Sequence, residues 1–174
     1  DCQIQIMTAV SLKKILTDAN KNNYAVAGLV VLAWDDALAF TKAADETGVP
    51  IILQAGPSCR AHTPVPILGK MFRYLAAQTK THVCCHIDHG YTFRECAEGI
   101  DSGFTSVMFD GSKLSLKENI KTTSKIVKRA NDAKVSVEGE IGFVGYANGK
   151  SSEGTLPNEA VTFAKESNVD AMAV

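Results

Sequence analysis

Short apolar runs alternate with amphipathic stretches along most of the chain, and this alternation is typical of strands and helices in regular succession. The apolar runs predict six strands, at residues 24–32, 51–54, 83–88, 105–110, 135–140 and 169–174. The stretches with helical spacing predict helices at residues 11–19, 35–47, 67–78, 93–100, 116–133 and 157–167. Between the second strand and the helix that follows it, the sequence predicts a turn and then a loop with three prolines, Pro57, Pro64 and Pro66.

The order of these elements predicts an α/β protein in which helices cover a parallel sheet. Two arrangements fit that order, a doubly wound open sheet and an eight-stranded barrel. No Gly-x-Gly-x-x-Gly motif follows the first strand, and polar residues instead occupy the C-terminal ends of successive strands. We therefore predict a (βα)8 TIM barrel, with about six of its strands in this chain and residues 1–174 forming the N-terminal portion of a single domain.

The segment 86–90, with the sequence HIDHG, closes the third predicted strand and turns at a glycine into the next helix. His86 and Asp88 are two residues apart, so they share one face of the strand, and His89 lies at the turn. A carboxylate at the C-terminal end of a barrel strand is well placed to move a proton, and an adjacent imidazole can bind a metal. The segment therefore predicts chemistry as well as fold.

Carboxylates also end the two following strands, with Asp110 on the fourth and Glu138 and Glu140 on the fifth. Two carboxylates on one face of a strand end repel each other unless a cation or a proton lies between them. Acids and an imidazole on three neighbouring strands therefore predict a metal site with an acid/base group beside it. Simpler interpretations also exist: Asp110 could cap a helix, the glutamates could be a solvated pair, and His89 could be a hydrogen-bonded turn residue.

Composition and charge narrow the function only slightly. Hydrophobic residues make up 45% and charged residues 21% of the chain, as in ordinary globular proteins. The net charge of -1 gives no reason to expect binding to nucleic acid or to a membrane, and no apolar run is long enough to span a bilayer, so we expect a cytoplasmic protein. The cysteines, 5 in number, are expected to be reduced and to pack as small apolar groups, with a nucleophilic Cys85 as the alternative.

Four motifs resemble those of the class II fructose-bisphosphate and tagatose-bisphosphate aldolases. They are PIILQ at 50–54, HIDHG at 86–90, GFTSVMFDGS at 103–112 and SVEGEIG at 136–142. The resemblance runs from about Ser11 to the last residue and implies the same (βα)8 barrel. It implies zinc-dependent cleavage of a ketose 1,6-bisphosphate to dihydroxyacetone phosphate and glyceraldehyde 3-phosphate, or the reverse condensation.

The resemblance also implies roles for individual residues. Asp88 matches the proton donor and acceptor of aldol cleavage, and His89 matches the first zinc-binding histidine. Asp110 and Glu140 match positions that hold a second cation in some members of the family. Glu138 matches a supporting carboxylate. The implied cofactor is therefore Zn2+, with a second cation as a further option.

Three further expectations complete this picture. Gln54 ends the second strand and is expected to support the site. Glu153 lies in the glycine-rich loop 142–154, which resembles the family's mobile loop, and it is a further candidate for an acid/base group. A homodimer that acts on a phosphorylated ketose is expected by family analogy.

Two departures from the family pattern bear directly on function. The family has two more zinc histidines, after its sixth and seventh strands, whereas this sequence stops at Val174 in the predicted sixth strand. Val30 stands where the family usually has an asparagine that helps to position substrate. Two alternatives therefore stay open, a non-catalytic truncated half-barrel that serves as an interaction module and another divalent-metal lyase that acts on a phosphorylated sugar. The choice between fructose and tagatose bisphosphate also stays open.

Overall fold

A computed structural model of the chain describes residues 8–142 and 154–174. The strands are β1 (Ala27–Val30), β2 (Ile51–Ala55), β3 (Val83–Gly90), β4 (Ser106–Asp110), β5 (Ser136–Glu140) and β6 (Ala171–Ala173). The helices are α1 (Leu12–Lys21), α2 (Trp34–Thr47), α3 (Pro57–His62), α4 (Val65–Gln78), α5 (Phe93–Asp101), α6 (Leu116–Ala133) and α7 (Pro157–Ser167). Within the described ranges, no helix is long and apolar enough to cross a membrane.

The strands form one sheet in the order β1-β2-β3-β4-β5-β6, and every neighbouring pair is parallel. A doubly wound sheet would reverse its strand order at a switch point, and this order has none. The sheet is instead a curled half-barrel covered by helices, as predicted. Because all the strands run the same way, the C-terminal ends of β3, β4 and β5 lie side by side.

The short helix α3 was not predicted, since its sequence was interpreted as a turn and a proline-containing loop. Gly56 precedes the helix in an extended conformation, and Pro57 occupies the first turn, where the missing proline N–H costs nothing. Thr63 ends the helix with φ -123 and ψ 125, the extended backbone that a following proline favours. The prolines at 57 and 64 thus frame this helix.

Several strand boundaries also differ from the prediction, and those of β1 and β3 lie nearest to the site residues. β1 is shorter than predicted and ends at Val30, which is 52% exposed. β1 pairs with β2 on one side, and within the described ranges no strand pairs with its other side. β3 is longer than predicted and continues through His89 to Gly90. An apolar pattern alone cannot show either boundary, because pairing partners decide where a strand stops.

Successive residues of β2 and β3 pack on opposite sides of the sheet. Leu53 and Cys85 belong to the large core between the sheet and the outer helices, whereas Ile52 and Cys84 belong to a smaller cluster with α1. Helix α1 lies against the N-terminal ends of the strands, where the backbone N–H of Lys13 donates to Ser136 Oγ over 3.1 Å. The N-terminal end is therefore covered by packing, and the C-terminal ends are left for chemistry.

The cysteines in the described ranges are buried free thiols. Burial raises the pKa of Cys85 to about 12 and raises that of Cys84 as well. A thiol that stays protonated is a poor nucleophile, because the thiolate is the reactive form. The structure thus supports the interpretation of these residues as small apolar packing groups.

Replacing Gly69 with alanine is expected to destabilise the fold, although alanine is the better helix former. A Cβ at Gly69 of α4 would lie 2.1 Å from the carbonyl oxygen of Ser102, which follows α5. Relieving that overlap requires the two helices to move apart, at a cost of about 1–3 kcal/mol. Urea unfolding should show the loss, with Gly154→Ala as the control, because a Cβ there meets no described atom within 4 Å. An unchanged midpoint for Gly69→Ala would contradict the tight helix contact.

Candidate metal and acid/base site

The C-terminal ends of β3, β4 and β5 bring His89, Asp110 and Glu140 together. One potential ligand atom from each of these side chains lies within 4.8 Å of the other two. His89 Nδ1 is 3.0 Å from Asp110 Oδ2 and 3.3 Å from Glu140 Oε2. The structure thus places the three predicted metal ligands at one point of the rim.

A bulge in β3 explains how consecutive residues reach the same rim. Ile87 pairs with Val107 and Gly90 pairs with Phe109, so Asp88 and His89 together face the single residue between those two on β4. His89 has a φ of 50, in the left-handed region that non-glycine residues seldom adopt. In a regular strand the two side chains would point to opposite faces. Here Asp88 Oδ1 lies 3.9 Å from His89 Nε2.

Asp110 uses its two carboxylate oxygens for different purposes. Oδ1 accepts hydrogen bonds from the backbone N–H of Ser112 over 3.1 Å and from its hydroxyl over 2.6 Å, and Oδ2 contacts His89. Burial alone would raise the pKa of Asp110, but the hydrogen bonds from His89 and Ser112 hold it below its usual value. Asp110 does not cap α6, since Ser115 does so in a capping box with Glu118. The helix-cap interpretation of Asp110 is therefore excluded.

A hydrogen bond to the backbone of Glu140 fixes the end of β5, and one oxygen of its carboxylate stays available to the site. The amide of Asn119 donates to the Glu140 carbonyl over 2.7 Å, which ties the end of β5 to α6. Glu140 Oε2 is buried and has no hydrogen-bond partner among the described residues. A buried carboxylate oxygen without a hydrogen bond is costly, and a bound cation would compensate for the missing bond. One imidazole and two carboxylates are also donors that a divalent cation accepts, so the residues present fit a metal.

Three acids surround the imidazole of His89 in the metal-free chain. The hydrogen bond to Asp110 and the neighbouring Glu140 and Asp88 carboxylates raise the pKa of His89 to about 10, although burial opposes them. The side chain is thus a cation near neutral pH, and its positive charge partly neutralises the three carboxylates, as the charge of a bound metal would. A histidine must be neutral to bind a metal, so the proton and the metal compete for it.

Raising the pH should therefore strengthen metal binding. Below its pKa of about 10 His89 is protonated, so each unit of pH removes competing protons and should raise the apparent Zn2+ affinity about tenfold. Histidines with ordinary pKa values are already neutral above about pH 7.5. The change of zinc affinity with pH between about 7.5 and 9 therefore reflects the deprotonation of His89. Competition with a chromophoric chelator measures this slope, and replacement of the exposed His62 with alanine is the control that should leave it unchanged. A pH-independent affinity over this range would contradict the prediction.

Asp88 lies beside the cluster in a setting that suits proton transfer. Its side chain is 14% exposed, and burial raises its pKa, while His89 and Arg60 partly offset that effect. The turn before α3 packs close to it, since a Cβ at Gly56 would lie 3.5 Å from Asp88 Oδ2. A largely buried carboxyl with a raised pKa at the rim of a barrel is a candidate general acid/base.

Glu138 lies deeper in the sheet, next to His86. Its Oε2 is 3.3 Å from His86 Nε2, without the geometry of a hydrogen bond, and His86 Nδ1 is 2.9 Å from Ser106 Oγ. Burial and the Asp88 and Glu140 carboxylates raise the pKa of Glu138 to about 7, and burial lowers that of His86 to about 3. His86 is therefore a neutral imidazole under the site. The sequence predicted that His86 shares a strand face with Asp88, because the two residues are two positions apart.

The other predicted site residues fall outside this cluster. Gln54 pairs with Val30 and His86 in the sheet, and its side chain lies over Gly28, where a Cβ would be 2.9 Å from Gln54 Oε1. Among the described residues, no hydrogen bond or ion pair joins Gln54 to the carboxylates, so its supporting role stays a prediction. Glu153 lies outside the described residues.

One residue at the site escaped the sequence interpretation. Arg60 on α3 donates hydrogen bonds to the backbone carbonyls of Ala55, Asp88 and His89. It escaped because α3 itself was not predicted, so nothing in the pattern placed an arginine under the HIDHG segment.

Comparison with known proteins places this geometry in context. Residues 10–174 match the family model described as class-II fructose-bisphosphate aldolase. The fructose-bisphosphate aldolase of Staphylococcus aureus is 34% identical over 174 residues, which cover 96% of this chain and 61% of that protein. The fructose-bisphosphate aldolase of Helicobacter pylori is 34% identical over 167 residues, which cover 92% of this chain and 54% of that protein. The chain thus spans about three fifths of the length of curated relatives that it matches.

Solved structures show the same fold. The crystal structure of the YdjI aldolase from Escherichia coli K12 superposes with a TM-score of 0.84 at 26% identity, over 95% of this chain and 64% of that chain. A putative fructose-1,6-biphosphate aldolase from Coccidioides immitis has a TM-score of 0.79 at 22% identity, over 89% of this chain and 57% of that chain, and shows the fold alone. These structures confirm that the half-barrel is part of a TIM barrel.

Proposed function

This chain belongs to the class II fructose-bisphosphate aldolase family, and on that premise we propose that the complete protein cleaves a ketose 1,6-bisphosphate. The products would be dihydroxyacetone phosphate and glyceraldehyde 3-phosphate. Curated relatives that carry the name fructose-bisphosphate aldolase favour fructose 1,6-bisphosphate as the first substrate to test. Tagatose 1,6-bisphosphate differs at one stereocentre and is the second.

One observation carries the proposal. A histidine and two carboxylates converge within 4.8 Å at the rim, and Asp88 lies beside them with a raised pKa. Active sites of TIM barrels lie at this end of the strands. Aldol cleavage needs both parts of this arrangement, a cation for the ketone and a carboxylate for the hydroxyl proton.

His89, Asp110 and Glu140 would hold the divalent cation. When bound, the cation would polarise the ketone oxygen and stabilise the negative charge that develops there. We propose zinc because of the imidazole and the family resemblance, and a second cation could use the carboxylates. The family barrel extends beyond the part that this chain covers, and we expect the remaining imidazole ligands to come from there.

Asp88 would move the proton of the cleavage step. As a carboxylate it would take the proton of the C4 hydroxyl, so that the O–H electron pair forms the aldehyde carbonyl and the C3–C4 bond breaks. The electron pair of that bond would stay with the ketone half, which then needs a proton at carbon. Glu153 is the candidate that we propose for returning this proton. Glu138 would support the charge balance of Asp88 from below.

The proposal is tested with the protein expressed from its complete reading frame. Cleavage of fructose and tagatose 1,6-bisphosphates is followed by enzymatic detection of the triose phosphates, before EDTA treatment, after it, and after addition of Zn2+. We expect cleavage that EDTA abolishes and zinc restores, with one of the two sugars preferred. A protein that binds zinc but cleaves neither sugar would overturn the proposal. EDTA-resistant cleavage would overturn the role of the metal.

A second candidate function is another divalent-metal lyase that acts on a phosphorylated sugar. The observation that favours it is the excess of carboxylates over imidazoles at the cluster, because carboxylate oxygens suit Mg2+ and Mn2+. Metal analysis of the purified protein separates the two candidates. Bound zinc favours the aldolase, and magnesium or manganese with no cleavage of either bisphosphate favours the alternative.

Assembly and location are further proposals from the family resemblance. We propose a homodimer in the cytoplasm, built from a single barrel domain that continues beyond these residues. Light scattering coupled to size-exclusion chromatography measures the assembly state of the complete protein, and a monomer would contradict the dimer. The alternative of a non-catalytic half-barrel interaction module is excluded if the complete protein shows metal-dependent cleavage.

A further inference from the structure

Arg60 connects two strand ends at the rim. It lies on α3, directly after β2, and its guanidinium reaches across to the end of β3. Nη1 donates hydrogen bonds to the carbonyls of Ala55 and Asp88, and Nη2 donates to the carbonyl of His89 over 2.9 Å. Two of its three acceptors are thus the backbones of the candidate acid/base and of the candidate metal ligand.

Those two carbonyls belong to the bulge of β3. The regular pairing of β3 with β4 lapses between Ile87 and Gly90, so Asp88 and His89 are the residues that the ladder skips. A half-buried carbonyl outside a ladder needs another donor, because an unpaired one costs free energy. The positive φ of His89 adds a backbone cost of about 1–3 kcal/mol that the surroundings must offset. The hydrogen bonds of Arg60 to these two carbonyls supply the missing donors and help to offset the backbone cost.

We propose that Arg60 is a positioning residue that maintains this bulge and thereby holds Asp88 and His89 at the same rim. The inference rests on the proposed function for the roles of those two side chains. An arginine suits the task because its planar guanidinium has five N–H donors and remains charged at any physiological pH. A lysine at this position would retain the charge, but a single ammonium cannot reproduce the spaced donors that span the three carbonyls.

The placement distinguishes this role from loop packing alone. A residue that only anchored α3 would need a contact with the end of β2, and the Ala55 carbonyl provides that contact. The hydrogen bonds to Asp88 and His89 instead connect α3 to the bulge, 28 and 29 residues further along the chain. Losing them should therefore change metal binding and catalysis at temperatures where the protein is fully folded.

The test compares three variants of the complete protein. Arg60→Met removes all donors at similar length, Arg60→Lys retains the charge, and Arg94→Met is the control on an exposed arginine of α5. Zn2+ affinity is measured by chelator competition, kcat and KM are measured at saturating zinc, and thermal unfolding defines a temperature at which every variant is folded. The zinc affinity can be measured even if a variant has no catalytic activity.

We expect Arg60→Met to lower zinc affinity about tenfold to a hundredfold, as loss of a residue that orients ligands does. We expect kcat at saturating zinc to fall at least about tenfold, because small misplacements of a catalytic group are costly, with KM nearly unchanged. Arg60→Lys should recover stability but only part of the zinc affinity, and Arg94→Met should match the wild type.

Two results would overturn the inference. Zinc affinity and kcat of folded Arg60→Met within threefold of the wild type would show that Arg60 does not position the site. Full recovery of both by Arg60→Lys would show that charge, and not the spaced donors, is what matters. A wild-type protein that binds zinc but cleaves no bisphosphate would overturn the proposed function instead, and the zinc affinities would still decide the role of Arg60.

Discussion

Replacing Asp88 with asparagine should lower kcat for bisphosphate cleavage by about two to four orders of magnitude while zinc stays bound. The carboxylate is the proposed base for the C4 hydroxyl, and an amide of nearly the same shape cannot take that proton. The substitution keeps the backbone carbonyl that Arg60 binds, so the bulge should survive. Steady-state kinetics and zinc content of the purified variant check the expectation.

The controls for this substitution separate chemistry from folding. Asp132→Asn changes the same functional group at an exposed position of α6 and should leave kcat unchanged. The thermal unfolding midpoint of Asp88→Asn should be close to that of the wild type or higher. Burial disfavours the charged carboxylate when no metal is bound, and the amide carries no charge. Activity of Asp88→Asn within tenfold of the wild type would show that another group moves the proton.

Removing the imidazole of His89 should abolish stoichiometric zinc binding and, with it, cleavage. The side chain supplies the nitrogen ligand among the three clustered residues, and a zinc site that loses one of its imidazoles binds the ion far less tightly. His89→Asn is the sharper variant, since asparagine tolerates the left-handed backbone that His89 adopts, with a φ of 50. His89→Ala adds backbone strain to the loss of the ligand.

Zinc content after dialysis, measured by atomic emission, checks this expectation. His62→Ala is the matched control, because His62 is exposed and its Nδ1 lies 2.9 Å from Thr63 Oγ1, outside the cluster of His89, Asp110 and Glu140. Without zinc, both His89 variants should also be less stable than the metal-free wild type, since Asp110 and Glu140 lose the imidazolium between them. Stoichiometric zinc retained by His89→Asn would reject His89 as a ligand.

Much of the fold was predictable because its information is local. Apolar runs and amphipathic spacing predicted the order of six strands, and the structure has β1 to β6 in that order in one parallel sheet. The missing dinucleotide motif and the polar strand ends favoured a barrel over a doubly wound sheet, and the sequential strand order agrees. α3 was missed because three prolines within ten residues indicate a loop. Here the first of them, Pro57, instead occupies the first turn of a helix.

The candidate site was predictable as a set of residues and not as a geometry. His89, Asp110 and Glu140 were expected at one rim because they end adjacent strands, and the structure brings them within 4.8 Å. The bulge at Asp88 and His89 could not be predicted, because strand periodicity places consecutive side chains on opposite faces. Arg60 could not be predicted either, since two of its three acceptors are backbone carbonyls far along the chain. The roles of all these residues stay predictions until they are tested.

The sequence by itself determined the class of fold, the strand ends that carry chemistry and the types of ligand available, because periodicity and residue type are local properties. Tertiary structure alone decided that Asp88 and His89 share a rim, that Glu140 Oε2 is buried without a hydrogen bond from a described residue, and that Arg60 donates to the carbonyls of the bulge. These features depend on register between strands and on contacts between distant segments. Such contacts arise only when the sheet has curled and its strand ends meet.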